Sequence, residues 1–407
     1  MIRRHATRRL LDALSDTPVV HLQGARQTGK STLVQSIAAG PKPRTYLTLD
    51  RAAVRAAAQA DPEGFVAGLD GPAVIDEVQR APALALAIKA AVDADRRAGQ
   101  FLLTGSASIL SLPRLSESLA GRMEIHTLWP FSQGEISSVR ETFIDRMFAG
   151  ELSAPTVRPE QTIIERICVG GYPEARKRKT ARRHAWFDSY LEAIMQRDIR
   201  DLANIERLSE VPRLLALLAS RAGQLVNNAD LSRSLGIPQT TLKRYMALLE
   251  TTFILRFLPA WFTNIGKRLT KAPKLLLTDT GLLVHLLGID GDRLRSDRTL
   301  FGHVLENFAA MEVVKQLGWS DRRCRLYHFR TETGAEVDLV LEDSAGGLVG
   351  IEVKSAVTLR NEDIRGLAAL AGIAGPRFVR GIVLYTGTEI VPFGERLHAV
   401  PISQLWA

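Results

Sequence analysis

Gly24-Ala25-Arg26-Gln27-Thr28-Gly29-Lys30-Ser31 is a complete G-x-x-x-x-G-K-[ST] phosphate loop, and its surroundings decide the fold of the first part of the chain. The apolar, β-type run Pro18-Val19-Val20-His21-Leu22 leads in, and the helix-compatible run Ser31-Thr32-Leu33-Val34-Gln35-Ser36-Ile37 leads out. Strand, glycine turn, helix is the order such a loop requires. Gly24 and Gly29 lack a Cβ, so the backbone between them can curl with its N–H groups inward, at the positive end of the following helix. Lys30 would then reach the β- and γ-phosphates of a nucleoside triphosphate. Ser31 would offer its hydroxyl to Mg²⁺, which gives up little of its water and needs few protein ligands.

Further on, Pro72-Ala73-Val74-Ile75 runs into Asp76-Glu77. A buried strand ending in two carboxylates needs a cation: Asp76 would hold Mg²⁺ directly or through a water, and Glu77 would polarise an attacking water. That pairing favours an ATPase over a small-molecule kinase. A third apolar strand, Phe101-Leu102-Leu103, ends in Thr104-Gly105-Ser106-Ala107-Ser108, which makes Thr104 and Ser106 candidates for a polar contact beside the γ-phosphate. Ordinary turn chemistry accounts for the same residues. Leu119-Ala120-Gly121-Arg122 carries an arginine able to complete a neighbouring copy's site in a homo-oligomer, with a solvated Arg122 as the plain alternative.

At 407 residues the chain is too long for one core and is expected to hold two or three domains. No stretch of 18 uncharged apolar residues occurs, which argues against a membrane span, and the arginine-rich start Met1 to Leu10 reads as a short amphipathic helix rather than a leader. Cys168 and Cys324 are not in metal spacing, so neither a zinc site nor a disulfide framework is expected, and a reducing cytoplasm fits. A net charge of +9 raises the prospect of an anionic partner, most simply nucleic acid. The charge is uneven: Arg176-Lys177-Arg178-Lys179 with Arg182 and Arg183 is one dense run, and Lys267, Arg268, Lys271 and Lys274 another. Each is explained by a solvated helix face or by phosphate contact.

The middle is helical from about Ile163 to Leu214, with Trp186, Tyr190, Leu191 and Ile194 at core spacing. Leu225 to Phe253 reads as helix, turn, helix: Asp230 as a cap, Gly236 as the turn, Pro238 opening the second helix, then Phe253 to Phe257 as a strand-like wing. In such a module the second helix enters the major groove, and Gln239, Thr240, Thr241, Lys243 and Arg244 are residue types that contact bases and phosphates. The same fold also serves as a packing module.

The last quarter carries a second constellation. Glu336-Val337-Asp338-Leu339-Val340-Leu341 is a strand, Ala345-Gly346-Gly347 a turn, and Leu348 to Lys354 the returning strand, with Glu352 and Lys354 on one face. Asp338, Glu352 and Lys354 can converge across this hairpin, two carboxylates for a divalent metal and an amine to orient water, with Glu306 of the helix Phe301 to Asn307 as a further ligand. The arrangement looks like the core of restriction-endonuclease-type nucleases. A charged hairpin with cross-strand pairing is the plainer reading.

Taken together, the chain resembles a prokaryotic family of AAA-type ATPases whose C-terminal portion is a domain of unknown function with a nuclease-like end. The resemblance spans nearly the whole chain. It is carried by Gly24 to Thr32, by Ile75-Asp76-Glu77-Val78-Gln79-Arg80-Ala81-Pro82, by Leu103 to Ser106, and by Gly170-Gly171-Tyr172-Pro173-Glu174. Lys274 to Leu282, Gly302 to Asn307, Asp338 and Glu352-x-Lys354 complete it. It implies an α/β fold: a P-loop AAA-type core over residues 1–158, a helical and winged-helix region over 159–287, and a restriction-endonuclease-like α/β domain over 288–407. It implies ATP with Mg²⁺ at the first site, hydrolysis by Lys30, Ser31, Asp76 and Glu77, and a second Mg²⁺ or Mn²⁺ held by Glu306, Asp338 and Glu352 beside Lys354. The expected partner is nucleic acid, DNA before RNA, with cleavage either active or lost. The alternative is a nucleotide-switched regulator or scaffold that binds DNA or a protein and cuts nothing.

Overall fold

The computed structural model describes residues 2–108, 117–152, 161–199, 210–264, 266, 268 and 271–406. Strands β1 (Val19–Gln23), β2 (Thr45–Thr48), β3 (Ala73–Asp76), β4 (Phe101–Gly105) and β5 (Met123–Thr127) form a sheet in the order β2-β3-β4-β1-β5. All of its pairings are parallel. A parallel sheet is buried on both faces, so its strands are apolar almost throughout and successive side chains serve opposite layers. Val19, Ile75 and Leu103 enter one core with the helix Leu84–Ala94. Val20, Leu22, Val74 and Leu102 enter the other, under the helices Thr7–Asp16 and Lys30–Ala38. Strand β4 lies between β1 and β3, which puts Thr104 between the phosphate loop and Asp76.

The helices Ile163–Val169, Pro173–Arg176 and Thr180–Ala193 come after this sheet. Tyr190, Leu191 and Ile194 are buried, and Trp186 stacks on Tyr190 with ring centroids 5.0 Å apart. Next come the helices Val211–Ser220, Asn228–Leu235 and Gln239–Thr251, then the antiparallel pair β6 (Leu255–Leu258) and β7 (Lys274–Leu277), with a bridge from Leu225 to Lys274. The expected cap is corrected: Asn227, not Asp230, accepts the helical N–H, that of Asp230 itself, at 3.1 Å. Asp230 instead pairs with Arg221 at 3.0 Å. Gly236 closes the first helix in the left-handed region, φ +68°, as its turn role demands. Pro238 stands at the cap of the second helix rather than inside it. The strand starts two residues later than expected because Phe253 takes φ +60° and turns the chain first.

Strands β8 (Cys324–Arg330), β9 (Glu336–Asp343), β10 (Leu348–Lys354), β11 (Phe378–Tyr385), β12 (Val391–Pro392) and β13 (Leu397–Pro401) form a mixed sheet in the order β12-β13-β11-β10-β9-β8. The helix Arg298–Gln316 joins Leu339, Leu341, Val349 and Ile351 in one core, and Leu367 and Leu370 of the helix Arg365–Ala374 pack with Val340, Leu348 and Val383 in another. The segment after β6 is added to this sheet: the Trp261 N–H donates to the His328 carbonyl at 2.6 Å, and the His328 N–H to Pro259 at 2.9 Å. The core under Arg298–Gln316 runs on into the middle helices through Leu214 and Leu242 and into β7 through Leu276. The boundary expected at Arg158, and Lys267 of the second basic run, fall outside the described residues. No helix among the described residues is long and apolar enough to cross a membrane.

Candidate functional site

The phosphate loop is fixed from three sides. Gly24 has φ +150°, and a Cβ there would meet the Leu128 carbonyl oxygen at 2.3 Å, so a glycine is required where the loop leaves β1. Ala25 is fully buried in the core shared with Tyr172 and Tyr190, and the Tyr190 hydroxyl donates to the Arg26 carbonyl at 3.3 Å. From the N-terminal segment, Arg4 donates to the Thr28 carbonyl at 2.7 Å, to Trp129 at 2.6 Å and to Glu135 at 3.0 Å. Gln27 is exposed with φ +63°, Thr28 bonds back to Ala25, and Gly29 (φ +93°) caps the helix Lys30–Ala38. Lys30 is folded across the loop, its ammonium donating to the carbonyls of Gly24 and Ala25 at 2.8 Å each. Ser31 is half-buried in the first helical turn, and Thr32 is exposed.

The carboxylate end of β3 is equally organised. Asp76 is 2% exposed and accepts from Tyr46 at 2.8 Å and from Thr104. Burial and the bond to Asp76 push the Tyr46 hydroxyl up to about 12, so it stays a donor. Glu77 takes the left-handed conformation, φ +63°, and its N–H donates to the Thr104 hydroxyl at 3.0 Å. Gln79 donates to the Glu77 carboxylate and, at 3.0 Å, to Ser106. Thr104 and Ser106, expected as contacts to phosphate, thus hold the acidic pair here, one through Asp76 and the other through Gln79. His21 lies beneath on β1, fully buried; burial and then the nearby Lys30 charge push it down to about 3, so it is neutral. The glycine loop, an ammonium lying on loop carbonyls and the ordered Asp76 fit a magnesium-bound triphosphate.

Beside Gly29 and Thr32 opens a cleft of about 960 Å³, lined also by Arg3, Arg4, Thr7, Arg176 and Lys177. The first basic run is therefore turned partly toward the loop. It is also internally paired, Lys177 and Arg178 with Glu174 at 2.6 and 3.1 Å, leaving Lys177, Lys179 and Arg182 exposed. Arg122 is engaged within its own chain, its guanidinium on Asp93 at 2.5 and 2.9 Å. Tyr46, Gln79 and Arg4 were missed by the sequence reading. Gln79, two residues past the acidic pair, carried a visible signal; Arg4 did not, since its partners lie far along the chain.

The C-terminal carboxylates do converge, on an unexpected residue. Lys274 of β7 is 5% exposed, and its ammonium donates to Glu306 at 2.7 Å and to Asp338 at 2.9 Å. The other Asp338 oxygen accepts the Val353 N–H at 2.9 Å, and Lys354 pairs with Glu352 at 2.8 Å. The Glu352 Oε2 is buried without a hydrogen-bond partner. Burial, then Asp338, pushes both Glu306 and Glu352 up. Burial alone would lower Lys274, but Asp338 and Glu306 together raise it, so the ammonium persists. This corrects two expectations. Lys274 is no member of an open basic run, nor is Arg268, which is bidentate to Glu342 at 2.5 and 3.0 Å. The place between Glu306 and Asp338 is filled by an amine, and the expected second metal does not fit there; no group of three or more His, Cys, Asp or Glu among the described residues is arranged to hold one.

The first part of the chain also touches the middle region directly. The Ser108 N–H, just past Ser106, donates to the Thr251 carbonyl at the end of the helix Gln239–Thr251. Trp129, which receives Arg4, meets Phe253 edge-on at 5.8 Å and lies under Arg256.

Comparison with known proteins gives this geometry its family. Residues 16–137 match the AAA domain. Residues 160–293 and 301–405 match two domains of unknown function, DUF8612 and DUF4143. The uncharacterized protein Rv2008c of Mycobacterium tuberculosis is 34% identical over 411 aligned positions, covering 99% of this chain and 84% of that protein, and Mb2031c of Mycobacterium bovis matches equally. A signal transduction ATPase with numerous domains and a tetratricopeptide repeat sensor, PH0952 of Pyrococcus horikoshii, aligns at TM-score 0.26 and 11% identity over 78% of this chain and 47% of its own, too slight a likeness to bear on fold or function. With the mycobacterial proteins this chain belongs to one family, AAA-type ATPases whose C-terminal end is the DUF4143 domain.

Proposed function

We propose that the chain hydrolyses ATP at the Lys30–Asp76–Glu77 site and uses the cycle to act on nucleic acid without cutting it. One observation carries the first half: the Lys30 ammonium rests on two neutral carbonyls, a parking position that an incoming triphosphate outcompetes by charge. In hydrolysis, Lys30 moves onto the β- and γ-phosphates, the loop from Gly24 to Ser31 wraps them, and Glu77 accepts the proton of the water that attacks the γ-phosphorus as the bond to ADP breaks. Ser31 and Asp76 would hold Mg²⁺, which when bound neutralises charge on the phosphate oxygens. Thr104 keeps Asp76 oriented and Gln79 keeps Glu77 oriented. Arg3, Arg4 and Thr7 would face the nucleoside in the adjoining cleft. Purified protein should bind labelled ATP saturably and with a metal requirement; absence of such binding in wild type would end this reading.

For the second half, the order helix, bridge, helix, helix, two strands supports a winged-helix module, with Gln239, Thr240, Lys243 and Arg244 exposed along its last helix. Changing Lys243 and Arg244 to alanine should weaken DNA binding and flatten its salt dependence, by roughly one unit of log–log slope for each phosphate no longer neutralised. If the slope is unchanged, the helix is a packing element. A trans role for Arg122 would require it to leave Asp93. The non-cleaving reading is favoured over nuclease action by the Lys274 ammonium between the carboxylates.

A further inference from the structure

We propose that His21 is a positioning residue for hydrolysis: it is the hydrogen-bond partner of the Gln79 carboxamide oxygen, and through Gln79 it holds the Glu77 carboxylate toward the attacking water. The inference deepens the hydrolysis reading above and rests on it. Its basis is a polar group that the strand itself does not need. Residues 19–22 of β1 are fully buried, and His21 is the one polar side chain among them. An aliphatic residue would fill the same place at no polar cost, whereas both ring nitrogens of His21 lie buried with no hydrogen-bond partner among the described residues. The ring is neutral, so one of these nitrogens carries a hydrogen to donate.

Strand alternation gives its direction. Val19 and Leu103 share one core, so His21 and Gly105, each two residues on, stand over the same face of adjacent strands. A Cβ on Gly105 would meet the His21 ring at Cε1, 3.2 Å, and Nε2, 3.4 Å, and the Gln79 Oε1 at 3.3 Å. Imidazole and amide oxygen therefore approach one point, kept open by a glycine. Gly105 is outside the left-handed region, so backbone conformation alone does not ask for glycine there. The Gln79 Oε1 is likewise buried without a partner among the described residues. Which end of the carboxamide faces which way is fixed by chemistry: a Glu77 carboxylate only accepts, so the NH₂ of Gln79 meets it, and the same NH₂ reaches Ser106 at 3.0 Å. The oxygen is left on the His21 side. A small turn of the imidazole, or one water, completes the bond from ring N–H to amide oxygen. With both ends engaged, the carboxamide cannot turn over and set its oxygen against Glu77. A histidine that only fills the core makes a different forecast, because the polarity of residue 21 would then have no bearing on turnover.

The test is steady-state ATP turnover by the full-length chain with Mg²⁺, beside a thermal melt of each variant. His21→Leu should lower kcat about fivefold at unchanged KM, and His21→Gln, which returns an N–H near the place of Nε2, should recover to within about twofold of wild type. Gly105→Ala, whose methyl group presses the ring and the amide apart, should also lower kcat about fivefold, and it serves where His21→Leu does not fold. The deciding measurement is the combination with Gln79→Ala. Where Gln79→Ala alone costs about tenfold, His21→Leu/Gln79→Ala should cost the same, whereas independent effects would multiply to about fiftyfold. Full kcat in folded His21→Leu or Gly105→Ala, a His21→Gln as slow as His21→Leu, or multiplied losses in the double variant overturns the proposal. Glu77→Gln separates it from the reading beneath: turnover lost there with His21→Leu at full rate sinks only the role of His21, while turnover kept in Glu77→Gln sinks the hydrolysis reading and this proposal with it.

Discussion

Lys30 and Lys274 are equally buried, 5% exposed each, and both belong to sites built around carboxylates, yet they are satisfied in opposite ways. The amine of Lys30 rests on peptide carbonyls of its own loop, whereas that of Lys274 is held between Glu306 and Asp338. Giving up a carbonyl dipole for a phosphate anion is a gain. Giving up an anion in a buried place is a loss of several kcal/mol. The first site is open to exchange and the second is self-contained. Which of two lysine-and-carboxylate sites binds a ligand is therefore decided by what holds the amine beforehand.

The sharpest break of this contrast is Glu77→Gln, which should retain ATP while turnover falls by roughly a hundredfold to ten-thousandfold; unchanged turnover in a coupled phosphate-release assay removes Glu77 from the chemistry. Lys274→Met should leave ATP affinity unaltered but lower the unfolding free energy in metal-free buffer by about 3–5 kcal/mol, as expected for a buried ion pair stripped of one partner. Urea titrations of the two proteins check it, and an equal loss of ATP binding would show that the sites are not separate.

The acid limb of stability tests the layer under the phosphate loop. His21 has a folded pKa near 3 against the ordinary 6.5, so the unfolded chain takes up its proton first. Its contribution is complete above about pH 6.5 and is lost as the pH falls toward the folded value, a change on the order of a few kcal/mol. His21→Leu should flatten the stability profile between about pH 6.5 and 4, and a slope as steep as that of wild type would assign acid lability elsewhere. Smallest of all, Gln79→Ala should lower kcat by about tenfold at constant KM, equivalent to losing about 1.4 kcal/mol of orientation at Glu77.

The legible parts of the molecule were local ones. Eight consecutive residues specify the phosphate loop, Asp76 ends one strand with Glu77 directly after it, and Asp338 and Glu352 sit on the two paired strands of one hairpin. What escaped was brought together by folding across distance. Lys274 is 64 positions from Asp338, and Arg4 is 131 from Glu135. In the sequence Lys274 stands near Arg268 and Lys271 and looks solvated; no periodicity exposes its burial, because all four residues of β7 are buried. The cap was misplaced for a simpler reason, that Asn227 and Asp230 are both good cap residues in one short window.

The excursion between β6 and β7 has a bearing on dissection of the chain. Trp261, fully buried in one core with Phe329 and Val337, and Lys274 both precede residue 288, though the first completes the packing of the C-terminal sheet and the second its charge. A fragment starting at Gly288 would carry a tryptophan-sized void and orphaned acids, so cutting there would yield a weakened remnant instead of an autonomous unit.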